Sequence, residues 1–123
     1  MTEGLTGKRV LIVEDEYFIA ADLKRALAEA GAIVVGPAGT LASAQALVDD
    51  DIDLALLDVN LDGEHSYPLA NRLHERAVPF AFLTGYDQWA LPPAYRDVPR
   101  LDKPFDLAHL IRQLTAIALV GQA

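Results

Sequence analysis

The sequence predicts a doubly wound α/β fold built on one parallel sheet of five strands. Two observations lead to this fold class: short apolar runs alternate with segments of helical periodicity, and the runs begin at a regular spacing. Counted from residues 9, 33, 53, 80 and 100, successive runs begin 24, 20, 27 and 20 residues apart. This spacing leaves room for one crossover connection between consecutive strands, as a parallel sheet requires.

The predicted strands are apolar runs without alternation, which is typical of strands buried on both faces of a parallel sheet. They are Arg9 to Val13, Ala32 to Val35, Ile52 to Leu57, Phe80 to Leu83 and the weaker run Pro99 to Leu101.

The segments between these runs carry the helical pattern. Apolar residues recur at helical spacing from Ile19 to Ala30, and Gly31 is suited to end that helix. The predicted N-cap residues of three later helices, whose side chains can accept hydrogen bonds, are Thr40, Ser66 and Asp106. Between Thr84 and Pro99 the periodicity fails at Pro92-Pro93, so the fourth helix is expected to be short or irregular.

Composition narrows the function classes. The 123 residues fit one domain, expected to span 1–123 with no second unit. With 10 Lys and Arg against 18 Asp and Glu, the net charge is −8, which argues against nucleic acid as a partner. Cysteine is absent, which excludes disulfides, and no apolar run is long enough to cross a membrane. A cytoplasmic protein is the default expectation.

Polar residues follow the predicted strands at the points where the strands end. The carboxyl ends of parallel strands share one edge of the sheet, so these side chains are expected to converge there. Asp58 is the most informative, because four hydrophobic residues precede it and place its carboxylate at the edge of the core. The residues at the strand ends are Glu14, Asp15, Glu16, Asp58, Thr84 and Lys103.

Phosphoryl acceptance explains these side chains together. Converging carboxylates repel one another, so the site takes up a proton or a cation, and oxygen ligands favour Mg²⁺. Asp58 is then a nucleophile able to accept a phosphoryl group. Lys103 and the Thr84 hydroxyl are placed to neutralise and hydrogen-bond the phosphoryl oxygens.

With these residues in order, the sequence closely resembles the receiver domain of bacterial two-component response regulators. The resemblance rests on four motifs that span nearly the whole chain: "VLIVEDE", "LALLDVNLDG", "FLTGYD" and "LDKPF". It implies a flavodoxin-like sheet with strand order 2-1-3-4-5 and a cis peptide bond between Lys103 and Pro104. It also implies a single receiver domain with no effector domain.

The resemblance assigns a role to each site residue. Mg²⁺ would be held by Glu14, Asp15, Asp58 and the backbone carbonyl of Asn60. Asp58 would be the phosphorylation site, Thr84 the switch hydroxyl and Lys103 the lysine that contacts the phosphoryl group.

The phosphoryl donor implied by the resemblance is a histidine kinase or a histidine phosphotransfer protein. The output would be protein–protein binding or service as a phosphate sink, with no turnover of an external product. Two alternatives stay open: a haloacid-dehalogenase-like phosphatase and a binding module that works without phosphorylation. The phosphatase family requires a second Asp two residues after its nucleophile, and Asn60 stands there.

The region from "PFAFLTGYD" to "LDKPF" resembles the FAT GUY branch of receivers, although Leu83 stands where that motif has Ala. Two departures from the common receiver pattern are Arg100, in the place of an aromatic switch residue, and Asp62, in the place of a proline. We therefore predict that phosphorylation reorders the segment 86–96, drawn by Thr84, in place of rotating an aromatic ring.

Other candidate residues have plainer interpretations. The histidines fit no metal motif and are expected to be exposed on helices; they are His65, His74 and His109. Four aromatic residues could form a docking surface or pack partly into the core, and the sequence leaves both open. They are Tyr86, Trp89, Tyr95 and Phe105.

Overall fold

The computed structural model describes residues 4–85 and 91–121. In chain order the elements are β1 (Arg9–Val13), α1 (Tyr17–Glu29), β2 (Ile33–Ala38), α2 (Leu41–Leu47), β3 (Leu54–Asp58), β4 (Asn60–Leu61), β5 (Glu64–His65), α3 (Tyr67–Glu75), β6 (Phe80–Thr84), β7 (Arg100–Asp102) and α4 (Leu107–Gly121). The main sheet has five parallel strands in the order β2-β1-β3-β6-β7, and a separate two-stranded hairpin pairs β4 with β5.

The predicted fold class and strand order are confirmed. Counting only the strands of the five-stranded sheet, β2-β1-β3-β6-β7 is the order 2-1-3-4-5. The boundaries differ by a few residues. In particular, β2 continues to Ala38, beyond a cis bond between Gly36 and Pro37, where the register with β1 shifts.

The helix ends follow the predicted signals in most places. Gly31, at φ +93°, lies just beyond α1, where a side chain would meet Thr6. Thr40 and Ser43 form a capping box at the start of α2. At α4, Asp106 Oδ1 accepts a hydrogen bond from the Ala108 amide at 2.9 Å.

Ser66 departs from its prediction. It precedes α3, but its side chain makes no cap hydrogen bond. Its Oγ is buried and has no hydrogen-bond partner among the residues that the structure describes. The reason is the backbone of Ser66 (φ −89°, ψ 11°), which lacks the extended conformation of a usual N-cap.

The hairpin β4–β5 was not predicted. Asp62 and Gly63 form its turn, both with positive φ (50° and 91°), and Asp-Gly is a preferred pair for such turns. His65 therefore lies in this hairpin, and the expectation that it lies on a helix is wrong. It is nonetheless exposed, like His74 on α3 and His109 on α4.

The two faces of the sheet pack against different helices. Buried leucines of α1 and α4 cover one face, and α2 and α3 cover the other. Within 91–99, the described part of the irregular segment, a 3-10 helix spans Pro93–Tyr95 and there is no α-helix. None of the described helices is long and apolar enough to cross a membrane.

Candidate functional site

The predicted site residues lie at the carboxyl edge of the sheet. Glu14 and Asp15 directly follow β1, Asp58 ends β3, and Lys103 directly follows β7. The buried runs in front of them, Val10–Val13 and Leu54–Leu57, hold the strands in the core and leave the first polar side chains at its rim. A cleft of about 350 Å³ opens at this rim.

Three carboxylates converge at this rim, and two of them, from Asp15 and Asp58, line the cleft. One oxygen from each of Glu14, Asp15 and Asp58 lies within 4.8 Å of the others. Glu14 and Asp58 are buried, with 2% and 6% of their surface exposed, while Asp15 faces solvent. Oxygen ligands of this kind, open to water on one side, fit the coordination that Mg²⁺ prefers.

Lys103 bridges the two buried acids. Its Nζ donates a hydrogen bond to Asp58 Oδ2 at 2.8 Å and lies 2.9 Å from Glu14 Oε1. The exposed Glu16 carboxylate is farther away, at 3.6 Å. The Lys103–Pro104 peptide bond is cis, as the family resemblance implies. The lysine therefore already occupies the acidic cleft.

Burial and charge shift the titration of this cluster. Burial raises the pKa of Glu14 from 4.5 to about 7, with a further contribution from the Asp58 charge; Lys103 and the Glu16 amide act in the opposite direction. Burial alone would lower the pKa of Lys103, but its hydrogen bonds and charge interactions with Asp58 and Glu14 prevail and raise it. Lys103 is thus a fixed positive charge, and the Glu14 carboxyl keeps its proton to a higher pH than an ordinary glutamate does.

Asn60 shapes the floor of the cleft. Its backbone amide donates to Asp58 Oδ1 at 3.2 Å, and its side-chain Oδ1 accepts from the Gly63 backbone amide at 2.8 Å. Through this turn the hairpin brings Asp62 and Gly63 to the cleft wall. The sequence analysis does not predict this part of the cleft, although the pair Asp62-Gly63 is a hairpin-turn signal that could have indicated it.

The sequence predicts Thr84 as a site residue, but Thr84 does not line the cleft. The residue is buried, with 3% of its surface exposed, and its Oγ1 donates to Asp102 Oδ1 at 2.7 Å. Its backbone oxygen accepts from the Lys103 amide at 2.8 Å. The structure thus brings together the acids, Asn60 and Lys103, and leaves the Thr84 hydroxyl on Asp102. Asp102 is a site residue that sequence reasoning did not single out.

Of the four aromatic residues, the two that the structure describes pack into or against the core. Tyr95 is buried against the rings of Tyr67 and Phe82, which confirms the core alternative for this residue. Phe105 is half-buried and packs against the core on the α1 and α4 side. Tyr86 and Trp89 lie outside the described residues. Arg100, which stands in the place of an aromatic switch, is exposed on β7.

Comparison with known proteins identifies the family. Residues 10–115 match the model of the response regulator receiver domain. The sensory transduction protein LytT of Bacillus subtilis strain 168 is 38% identical over 103 residues, which cover 80% of this chain and 43% of LytT. The chain therefore spans less than half the length of that relative.

Solved structures give the same result. The solution structure of SdrG from Sphingomonas melonis Fr1 matches with a TM-score of 0.81 and 42% identity, over 94% of this chain and 98% of that one. The BeF3-activated conformation of SdrG, from Pseudomonas melonis Fr1, matches with 0.77 and 39%, over 92% and 98%. The receiver (REC) domain of the Erythrobacter litoralis response regulator PhyR matches with 0.80 and 28%, over 94% and 92%.

The family match covers the sheet except its first residue, Arg9, and includes all the carboxyl strand ends described above. It also agrees with the cluster of Glu14, Asp15 and Asp58, which resembles the acidic cluster of receivers that bind Mg²⁺. The chain therefore belongs to the response regulator receiver domain family.

Proposed function

We propose that this receiver accepts a phosphoryl group on Asp58 from a histidine kinase or a histidine phosphotransfer protein. The observation that carries the proposal is the joint placement of three carboxylates and one lysine at a single cleft. Lys103 Nζ lies within 3 Å of both Asp58 and Glu14, and the Asp15 carboxylate closes the cluster on the solvent side. A cluster arranged this way attracts a divalent cation and a phosphoryl group together.

The donor set fits Mg²⁺. The proposed protein ligands are carboxylate oxygens and one backbone carbonyl, from Glu14, Asp15, Asp58 and Asn60. When bound, the cation supplies positive charge against the phosphoryl oxygens and offsets the repulsion among the acids. Burial raises the pKa of Glu14, and a bound divalent cation would offset this cost of burying its charged form.

The chain's own residues then divide the chemistry. A carboxylate oxygen of Asp58 forms the bond to phosphorus as the N–P bond of the donor's phosphohistidine breaks, and the electron pair stays on the imidazole nitrogen. Lys103 offers the positive charge that a phosphoryl oxygen on Asp58 needs. The Asn60 amide, which donates to Asp58 Oδ1, holds the carboxylate in place.

The proposal extends to the type of receiver, its location and its output. The chain acts as a stand-alone receiver of the FAT GUY branch in the cytoplasm, with output through protein–protein contact or as a phosphate sink. The match to SdrG, at 42% identity over 98% of that solved chain, supports the stand-alone part of this proposal, and the branch fits the family match. The phosphatase alternative loses support, because the family match is to receivers and the residue two positions after Asp58 is Asn60.

The test is incubation with phosphoramidate and Mg²⁺, followed by intact mass spectrometry. We expect wild type to gain one phosphoryl group, and Asp58→Ala to gain none. Asp97→Ala, which removes an exposed acid that does not line the cleft, serves as the matched control and should behave as wild type. Chelation of Mg²⁺ should abolish the gain. An unmodified wild type would favour the phosphorylation-independent alternative, and a gain that persists in Asp58→Ala would move the acceptor elsewhere.

A further inference from the structure

The Thr84 hydroxyl has one proton to donate, and in this structure it donates that proton in a hydrogen bond to Asp102 Oδ1. The Oγ1 to Oδ1 distance is 2.7 Å, and a hydrogen bond to a carboxylate is stronger than one between neutral groups. Thr84 itself is buried, whereas Asp102 is an exposed residue at the end of the edge strand β7. The hydroxyl of the buried Thr84 is thus hydrogen-bonded to the carboxylate of an exposed residue, Asp102.

Strand geometry explains why Thr84 meets Asp102 and not Asp58. Side chains alternate between the two faces of a strand, and Thr84 pairs with Asp102 in the parallel register of β6 and β7. Leu83 and Leu101, one residue earlier on each strand, belong to the core on the α1 and α4 face. The side chains of Thr84 and Asp102 therefore start on the opposite face.

Lys103 follows Asp102 and returns to the α1 and α4 face, where it reaches Asp58. The two side chains that are expected to contact a phosphoryl group thus start on different sides of the sheet. Lys103 is in position before any phosphoryl group arrives. The Thr84 hydroxyl can donate to a phosphoryl oxygen only after it has left Asp102.

We propose that Asp102 is a positioning residue that holds the Thr84 hydroxyl away from the acceptor site until a phosphoryl group on Asp58 competes for its proton. This proposal rests on the proposed function of Asp58. Asp102 contributes no atom to the reaction. It sets how readily Thr84 joins the phosphorylated site, and so determines how strongly the active arrangement is favoured.

The first test needs no ligand. Three-bond couplings of the Thr84 methyl group in NMR spectra report its side-chain rotamer. We expect a single rotamer in wild type and rotamer averaging in Asp102→Ala, with Asp102→Asn between them because its amide oxygen can still accept a weaker hydrogen bond. Identical couplings in wild type and Asp102→Ala would overturn the proposal.

The second test measures beryllofluoride affinity in the presence of Mg²⁺, from NMR titration of the Asn60 and Lys103 amides. Removing a competing charge-assisted hydrogen bond should tighten binding about tenfold in Asp102→Ala. In the Thr84→Val background the same change should have no effect, because the hydroxyl is gone. The exposed acid Asp97, changed to Ala, controls for the loss of one negative charge.

The outcomes separate the two proposals. If wild type binds beryllofluoride and Asp102→Ala binds equally well or more weakly, the role of Asp102 is overturned and that of Asp58 stands. An equal gain in the Thr84→Val background also overturns it, since a general charge effect would then be the cause. If wild type takes up neither beryllofluoride nor a phosphoryl group, the proposed function itself fails.

Discussion

The two faces of the sheet carry different kinds of side chain. On the face covered by α1 and α4 the buried core is aliphatic, and Asp58 and Lys103 meet at its carboxyl edge. The face covered by α2 and α3 holds the buried rings of Phe80, Phe82 and Tyr95, with Thr84 at the same edge. The chemistry thus belongs to one face, and the irregular segment 91–99 packs on the other.

This difference indicates where a signal has to cross the sheet. The backbone oxygen of Thr84 accepts a hydrogen bond from the Lys103 amide, and its hydroxyl donates to Asp102. We call the face with Asp58 and Lys103 the charged face, and the face with the buried rings of Phe80, Phe82 and Tyr95 the aromatic face. Thr84 is therefore connected to the charged face through its backbone and to the aromatic face through its side chain. Arg100 is exposed and cannot supply the aromatic ring that would otherwise couple the two faces.

The largest expected effect comes from breaking the aromatic face at Tyr95. Tyr95 is buried among Tyr67 and Phe82, and its hydroxyl donates to Asn71 Oδ1, with the Tyr67 carbonyl oxygen also nearby at 3.3 Å. Tyr95→Ala should lower the free energy of unfolding by about 3 kcal/mol, because it leaves a cavity and loses these contacts. Tyr95→Phe keeps the ring and should cost only about 1 kcal/mol.

Urea unfolding measures both changes. Leu119→Ala is a suitable control, because 59% of Leu119 is exposed and its truncation should alter stability by less than about 0.5 kcal/mol. A Tyr95→Ala protein as stable as the Leu119→Ala control would show that the segment 91–99 is not anchored by Tyr95.

Sequence alone predicts one face better than the other. Asp58 could be predicted because it follows an apolar run that ends at a known edge of a parallel sheet, and Lys103 because it lies at the end of a weaker run, in the motif "LDKPF". The buried position of Tyr95 could not be predicted from the sequence, because Pro92 and Pro93 interrupt the periodicity that distinguishes a buried from an exposed side chain.

The Thr84–Asp102 contact was out of reach for a different reason. It depends on the register between β6 and β7, which places these two residues side by side. A shift of one residue would turn Asp102 to the other face, so no motif in either strand reveals the pair by itself. The pKa of Glu14 likewise depends on burial, which a sequence pattern does not quantify.

In the metal-free protein, the free energy of unfolding should depend on pH because of Glu14 on the charged face. Burial raises the pKa of Glu14 to about 7, so between its ordinary pKa of 4.5 and about 7 the folded state holds a proton that the unfolded state has released. Stability must therefore fall as pH rises through this window, by on the order of 2 kcal/mol.

Urea unfolding at about pH 5 and about pH 8, in chelator, measures this loss for wild type and for Glu14→Gln. The glutamine cannot titrate, so its stability should change less over the same range, and the difference between the two proteins isolates Glu14. Equal changes in both proteins would contradict the raised pKa of Glu14.

The smallest expected effect is a structural response of the segment 86–96, whose first five residues lie outside the described part. Beryllofluoride and Mg²⁺ should change the backbone chemical shifts of residues 91–96, because recruitment of Thr84 to the charged face disturbs its contacts on the other. Thr84→Val should reduce the change. Unchanged shifts in wild type would contradict the prediction.

The anchor at Tyr95 sharpens this expectation. Because Tyr95 is held by the hydrogen bond of its hydroxyl to Asn71 and by stacking on Tyr67, the shift changes should be larger at Leu91 than at Tyr95. The comparison of these two amides in one titration is therefore decisive. If Tyr95 responds as strongly as Leu91, the aromatic core itself moves, and coupling between the faces would pass through the buried rings in place of the segment that lies over them.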